Sequence, residues 1–320
     1  MDRILAVVPV RNRKATTRQA LANLRVTLRR DFVLDILVID DGSDDGTAGM
    51  LSVEFPEVAV IQGDGQLWWG GALNIGFNYA VKCGYKYVYV MNDDVELRLD
   101  AIVELHDAAR KYSGAVCGSL VIYENARVLS AEFGFRGLLG KVHSLSNGRS
   151  IESISEEIID SETLSTRSTL IPCEILQRGL FVDVKRFPHH FSDYDYFDRV
   201  RRAGFRILVV TRSVATSDMS SSSFHRLIAS SSVGAVLSTF SDIKYANNVW
   251  TQWHMASKHA SLPWAIFRFI GFMMPYAYWL TMRIILPREY LVRLLGHVGR
   301  HPMLGRHSKI AREVEPKVDF

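Results

Sequence analysis

Over the first 122 residues, short runs of wholly apolar residues alternate with segments of helical spacing. The apolar runs are Ile4–Val8, Ile36–Ile39, Val58–Ile61 and Tyr87–Met91; Ala115–Ile122, with Gly118 and Ser119 inside it, reads as a fifth strand. A run apolar at every position fits a strand covered on both faces. Thr16–Leu28, Gly71–Cys83 and Asp100–Tyr112 read as helices, the last with Ala101, Val103, Leu105 and Ala108 on its buried side. Strands alternating with helices predict an α/β fold, a mostly parallel sheet with crossover helices. In such sheets ligands sit beyond the carboxyl ends of the strands, so the polar residues after strands one, two and four converge on one crevice.

Composition narrows the class. With 320 residues, 48% of them apolar, the chain can bury a full core. A net charge of +4 gives no ground for a nucleic-acid partner. Cys83, Cys117 and Cys173 show neither CxxC spacing nor even pairing, so they suggest neither a zinc site nor a disulfide framework and fit a reducing, cytoplasmic compartment. The opening MDRILAVVPVRN has too short an apolar run for a signal peptide and reads as the first strand.

Residues 124–170 are polar and rich in Ser and Glu, with Leu138–Val142 as part of a hairpin. Structure resumes at Leu170–Leu180, followed by a helix, Tyr194–Ala203, and a strand, Phe205–Val210. Serine clusters at Ser220–Ser223 and Ser230–Ser232 read as loop. The expected division is 1–240 for the α/β domain and 241–320 for a helical C-terminal region. In the latter, Leu262–Leu286 is dense in aromatic and aliphatic residues, but its longest uncharged run, Phe269–Met282, has 14 residues. That is short of the roughly 20 needed to span a bilayer. Basic residues follow from Arg283 to Arg312. Two readings stand: an interfacial helical hairpin on an anionic membrane surface, or a helical subdomain packed on the core.

Four polar clusters carry chemistry. Asp40–Asp41 ends the second strand, where a carboxylate can accept hydrogen bonds from a ribose or base; Asp44 or Asp45 suits a turn or helix cap. Asn92–Asp93–Asp94 ends the fourth strand and offers hard oxygen ligands for Mg²⁺ or Mn²⁺ bridging a diphosphate. Adjacent like charges there are costly without a cation. Trp68–Trp69–Gly70–Gly71 joins flat aromatic walls to close backbone approach at a helix start, and it also fits a core tryptophan pair. Asp193, before the last helix, is by spacing an N-cap rather than a general base.

In this order the clusters resemble family 2 glycosyltransferases of GT-A fold, over about residues 3–225. Val7–Arg13 looks like the opening strand and nucleotide loop. Val38–Thr47 matches the VDDGSxDGT pattern almost throughout. Leu67–Ala80 resembles the LWWTGAxNxG segment of a bacterial branch, Met91–Val95 the DxD element in an NDD form, and Phe187–Asp195 the PHYxxDYxF segment. The resemblance implies that Pro9, Val10, Arg11 and Asp41 line the nucleoside pocket. It places Trp68, Trp69, Gly71, Asn74 and Asn92, the first DxD position, by the donor, with Asp93 on its ribose or sugar. Asp94 and Asp218 (with His225 as second choice) would hold the metal, and Asp193 becomes the catalytic base. The implied reaction is an inverting transfer from a UDP- or dTDP-sugar to a glycan or lipid-linked acceptor of a bacterial surface polysaccharide, at the inner face of the cytoplasmic membrane. Three departures stand out: Asn92 for the first DxD carboxylate, Ser192 for Glu, and Thr166–Arg167–Ser168–Thr169 for a Gly-Arg-Gly-Thr loop. A sugar nucleotidyltransferase would need a Gly-rich loop with its lysine after strand one, and no such Gly-rich loop stands here; a non-catalytic sugar-nucleotide-binding protein remains the other alternative.

Overall fold

A computed structural model of the chain describes residues 1–123, 126–217, 228, 231–286 and 290. Two compact units emerge: Met1–Arg136 with Lys141–Asp218, and Gly137–Gly140 with Met219–Phe320. The second unit thus takes in residues 219–240, which the sequence assigns to the α/β domain.

The first unit is built on β1 (Asp2–Val10), β2 (Phe32–Asp40), β3 (Ala59–Gln62) and β4 (Tyr87–Met91), parallel neighbours in the order β4-β1-β2-β3. Helices α1 (Lys14–Val26), α2 (Thr47–Glu54) and α3 (Trp68–Lys82) connect them. Strand β1 shows why its sequence is apolar throughout. Ile4, Ala6 and Val8 join a core cluster with Ala20, Leu21 and Leu24 of α1. Leu5 and Val7 join the opposite cluster with Ala72, Leu73 and Phe77 of α3. Period-two alternation sends successive side chains to two different buried layers. Gly76 of α3 lies so close to β1 that an added Cβ would sit 2.5 Å from Val7 Cγ1. Pro9 is tolerated because β4 pairs β1 only as far as Val7, leaving Pro9 bonded on one side.

The other half of the sheet is mixed in direction. It comprises β5 (Val95–Leu97), β6 (Val116–Ile122), β7 (Val128–Ser130), β10 (Ile158–Asp160), β11 (Ser168–Pro172) and β12 (Ile207–Ser217); β8 (Phe133–Arg136) and β9 (Lys141–Ser144) form a separate hairpin. Strand β11 runs antiparallel between β4 and β6, whereas β6 and β12 are parallel. A chain of buried hydroxyls fixes this register. Tyr89 Oη lies 2.8 Å from Ser168 Oγ, Ser168 Oγ 2.6 Å from Ser119 Oγ, and Ser119 Oγ 2.7 Å from Ser213 Oγ. Ser213 donates to the carbonyl of Ala101, at the start of α4 (Ala101–Lys111). Every member is partnered, so the low dielectric strengthens the chain instead of penalising it. Helices α5 (Cys173–Gln177) and α6 (Ser192–Arg202) complete the unit. All three cysteines are free, Cys117 and Cys173 buried and Cys83 exposed.

In the second unit α7 (Val233–Ser238), α8 (Val249–Ser257) and α9 (Leu262–Ile285) are described. Residues 262–286 are not a hairpin: α9 runs unbroken through Pro275, and the helical pair is α8 with α9. Arg268, which interrupts the apolar run in sequence, donates to the carbonyls of Leu139, Met255 and Lys258. Phe267, Ile270, Met274, Tyr278 and Ile285 are exposed; their spacing forms one uncharged stripe along α9. Among the described residues, no helix is long and apolar enough to cross a membrane.

Helix α3 starts at Trp68, three residues before the expected Gly71, because of Asp41. This buried carboxylate accepts from the backbone N–H groups of Gly65 (2.8 Å), Leu67 (3.2 Å) and Trp68 (3.1 Å). Helix N-termini leave such donors without partners, and an anion there also meets the favourable end of the helix dipole. Asp41→Ala is therefore expected to destabilise the protein by about 2–3 kcal/mol, the cost of orphaning charge-assisted hydrogen bonds. Urea denaturation of the variant against the parent checks this; an unchanged midpoint would remove Asp41 from the scaffold.

Candidate active site

The crevice at the carboxyl ends of the parallel strands is assembled by interlocked loops. After β1, Asn12 receives the N–H of Asp44 on its Oδ1 (2.8 Å) and donates its own N–H to Ser43 Oγ (2.9 Å). Asp45 accepts from the N–H of Lys14 (2.8 Å) and from Thr47, so Asp45 rather than Asp44 opens α2. Gly42 has φ 70°, and a Cβ there would meet the Gly65 backbone nitrogen at 3.0 Å. That close approach brings the loop after β3 into the crevice, a contribution the sequence reading missed. Its signal was Asp64–Gly65, turn chemistry directly after a strand. Arg11 donates to the carbonyl of Gly65 and lies 4.0 Å from Asp41. Val10, Arg11, Asp41 and the 63–65 loop thus form one wall. Within it Asp41 supports the loop and α3 through its bonds to three N–H groups. The neighbouring Asp40 is fully buried, and its Oδ2 has no partner.

The tryptophan pair divides. Trp69 packs against the core and donates its indole N–H to Thr166 Oγ1 at 3.1 Å. Trp68 has φ 55° and faces the ring of His189 at 5.8 Å. Burial, reinforced by His190, pushes the His189 imidazole down to about 4, so it is neutral near pH 7. Asn12 and Phe191, at φ 52° and 63°, share the left-handed region with Trp68. Non-glycine residues hold that conformation at a cost of order 1–3 kcal/mol, and such strain concentrates at functional sites. Asn74 braces the scaffold, since its amide both donates to and accepts from the backbone of Val182 at 2.9 Å. The N–H of Gly70 bonds the carbonyl of Pro188 at 2.8 Å, tying the start of α3 to the 188–190 loop. Gly71 lies on the first turn of α3, with Leu67 Cβ 3.4 Å from where its own Cβ would be.

At the end of β4, Asp93 is buried and its carboxyl is pushed up to about 6 by loss of solvation, against the pull of Arg13. Arg13 bridges Asp93 Oδ1 at 3.2 Å and Asp94 Oδ2 at 3.5 Å. Buried oxygens of Asn92 (Oδ1) and Asp94 (Oδ1) have no partner. Two such oxygens are hard donors that fit Mg²⁺ or Mn²⁺. Among the described residues, no cluster of three or more His, Cys, Asp or Glu side chains is placed to hold a metal. Asp218 and His225 lie outside the described residues. The NDD element therefore supplies a partial ligand set here.

Asp193 occupies the first turn of α6, and the N-cap position belongs to Phe191, so the capping reading does not hold. Its Oδ1 accepts from the N–H of Tyr194 at 2.9 Å. Burial raises its pKa, opposed by that bond, by the charge of Arg167 and by the N–H of Thr166. Ser192, where the family pattern has Glu, turns back to the carbonyl of His189 at 2.7 Å. The 165–168 loop is the hub: Thr166 touches Trp69 and Asp193, and the carbonyl of Arg167 accepts from the N–H of Asn92 at 3.3 Å.

Comparisons with known proteins bear on the family and the fold. The profile of Glycosyl transferase family 2 matches residues 5–136. An undecaprenyl-phosphate mannosyltransferase of Micrococcus luteus is 30% identical over 111 residues, 34% of this chain and 44% of its own length. The chain thus spans less than half of that curated relative. Among solved structures, GalNAc-T7 with UDP, GalNAc and Mn²⁺ superposes with a TM-score of 0.56 at 14% identity, over 90% of this chain and 59% of its own. Residues 1–349 of S. aureus TarS give 0.52 at 13% identity, covering 98% and 83%. The Pyrobaculum calidifontis mannosyltransferase PcManGT with GDP-Man and Mn²⁺ gives 0.51 at 14% identity, covering 90% and 84%. Residues 5–136 thus match the family 2 glycosyltransferase profile, and the chain as a whole shares the GT-A fold of these glycosyltransferase structures.

Proposed function

We propose that the protein is an inverting glycosyltransferase that moves a sugar from a UDP- or dTDP-sugar to a glycan or lipid-linked acceptor. The observation that carries this reading is the 165–168 loop, which joins the Trp69 wall, the Asn92 strand end and Asp193 in one cluster. A relative named for a lipid-phosphate acceptor, and structures holding UDP or GDP-mannose with Mn²⁺, support it.

In this reading the nucleoside rests against Val10, Arg11 and the 63–65 loop, and the donor sugar against Trp68 and neutral His189. Asn92 and Asp94 would hold a divalent ion, which supplies positive charge to the departing diphosphate. Asp193 removes the proton of an acceptor hydroxyl. The freed oxygen bonds to the anomeric carbon from the face opposite the diphosphate, and the carbon–oxygen bond to the nucleoside diphosphate breaks. A raised pKa suits a base, because a more basic carboxylate transfers the proton more readily once ionised.

A lipid-linked acceptor gives the second unit a role. A bare apolar stripe of this length on a surface helix marks an interaction face, and Trp and Phe at its start suit a headgroup boundary. We read it as the surface that rests on an anionic membrane, at the cytoplasmic face.

Three outcomes test these assignments. Asp193→Asn should lower transfer by at least about 10³-fold, the scale of a lost general base, while isothermal calorimetry shows nucleoside diphosphate binding within about threefold of the parent; lost binding would refute the base role. The acidic limb of kcat should fall as pH drops through the folded pKa of Asp193, above the ordinary 3.8; a limb at or below 3.8 would contradict the buried base. For the membrane face, the full chain should float with vesicles containing anionic lipid, and Ile270→Glu with Met274→Glu should abolish flotation while leaving the circular dichroism spectrum intact. Undiminished flotation would leave α9 a packing helix only.

A further inference from the structure

Arg13 is a residue that the donor and metal assignments do not use, yet it makes both ionic contacts to the strand-end acids. It is the last residue before α1, and its side chain is 42% exposed. One fork spans two carboxylates: Nη1 is 3.2 Å from Asp93 Oδ1, and Nη2 is 3.5 Å from Asp94 Oδ2. Thr17, one turn along α1, holds the other oxygen of Asp93 at 3.4 Å. Adjacent carboxylates on a buried strand end require a cation, and here a guanidinium provides it. The oxygens left over, Asp94 Oδ1 and Asn92 Oδ1, are buried and face no donor.

This arrangement creates a competition. A divalent ion on Asp94 would stand within a few ångströms of the guanidinium, and like charges at that range repel strongly away from bulk water. Arg13 must therefore leave Asp94 when the ion arrives. Its planar fork matches a phosphate as well as a carboxylate, and its half-exposed side chain has room to turn. A diphosphate gives the guanidinium a new partner at the moment the metal takes the old one.

We propose that Arg13 is an exchangeable counter-cation. It neutralises Asp93 and Asp94 in the resting protein, opposes binding of a lone divalent ion, and transfers to the diphosphate when nucleotide and metal enter together. This rests on the nucleotide-sugar reading above. It makes Arg13 a positioning residue that couples two ligands, and coupling between ligands is reciprocal.

The test is Mn²⁺ binding by the full-length protein, followed by electron paramagnetic resonance without nucleotide and with saturating UDP, dTDP or GDP. In the parent, a nucleoside diphosphate should tighten Mn²⁺ by about tenfold or more. Arg13→Gln should bind Mn²⁺ alone about fivefold more tightly than the parent and show correspondingly weaker coupling. A merely structural role would not raise metal affinity. Arg13→Lys, which keeps the charge, should hold the metal-alone affinity within about twofold of the parent. If Arg13→Gln leaves metal-alone affinity unchanged or lower while the parent still couples Mn²⁺ to nucleotide, the Arg13 role is overturned and the donor reading stands. If none of the three nucleotides tightens Mn²⁺ in the parent, both fail together.

Discussion

The site depends on one strand running the wrong way. In a parallel sheet only carboxyl ends reach the ligand edge. Strand β11 is antiparallel between β4 and β6, so it delivers its amino end there instead. Ser168 pairs with Met91, and residues 165–167 therefore emerge beside Asn92, the residue after Met91. This geometry lets one short loop touch Trp69, Asn92 and Asp193, which are far apart in sequence. The hydroxyl chain Tyr89–Ser168–Ser119–Ser213 gives this strand a defined register. A slip of one residue would turn Ser168 to the other face, leaving its partners unsatisfied in the core. A device deep in the sheet thus sets the placement of the loop at its edge.

Much of the parallel half was legible because β1, β2 and β4 are buried on both faces, and local composition reports that directly; β3, apolar in its sequence run as well, lies at the sheet edge with Ala59 and Val60 exposed, because apolar pattern does not distinguish an edge strand from a central one. Strand β4 coincides with its apolar run, Tyr87–Met91; β1 and β2 extend beyond their apolar centres where Arg3, Val33 and Asp35 reach more exposed positions. The antiparallel half was not legible for the opposite reason. Strands β5, β7 and β10 are three residues long, and such elements exist only through distant partners. Ser168–Pro172 announces an ordered segment but not its direction, because strand direction leaves no trace in apolar pattern.

The candidate site divides along the same line. Motif positions located the crevice, yet roles followed from contacts that no spacing reveals. Asp41 belongs to the helix start as much as to any ligand, because three backbone N–H groups converge on it. Asn74 is occupied by Val182, more than a hundred residues away in the chain. Trp68 and Trp69, adjacent in sequence, meet the His189 ring and the core respectively, with Trp68 held in left-handed backbone at φ 55° at the start of the helix. Arg13 closes the loop after the first strand in the sequence, and only the fold sets it against Asp93 and Asp94.

Asp193 shows how opposing electrostatic effects are resolved by position. The first turn of a helix stabilises a carboxylate, and the Tyr194 N–H, the Thr166 N–H and Arg167 add to that. Each of these lowers the pKa, yet burial outweighs them and the net shift is upward. A fully solvated carboxylate would be a weak base, and a buried one without donors would stay protonated at neutral pH. The combination yields a carboxylate that ionises but does so reluctantly. Part of that balance comes from the 165–168 loop, through the charge of Arg167 and the N–H of Thr166, so the antiparallel strand that delivers the loop also tunes this carboxylate.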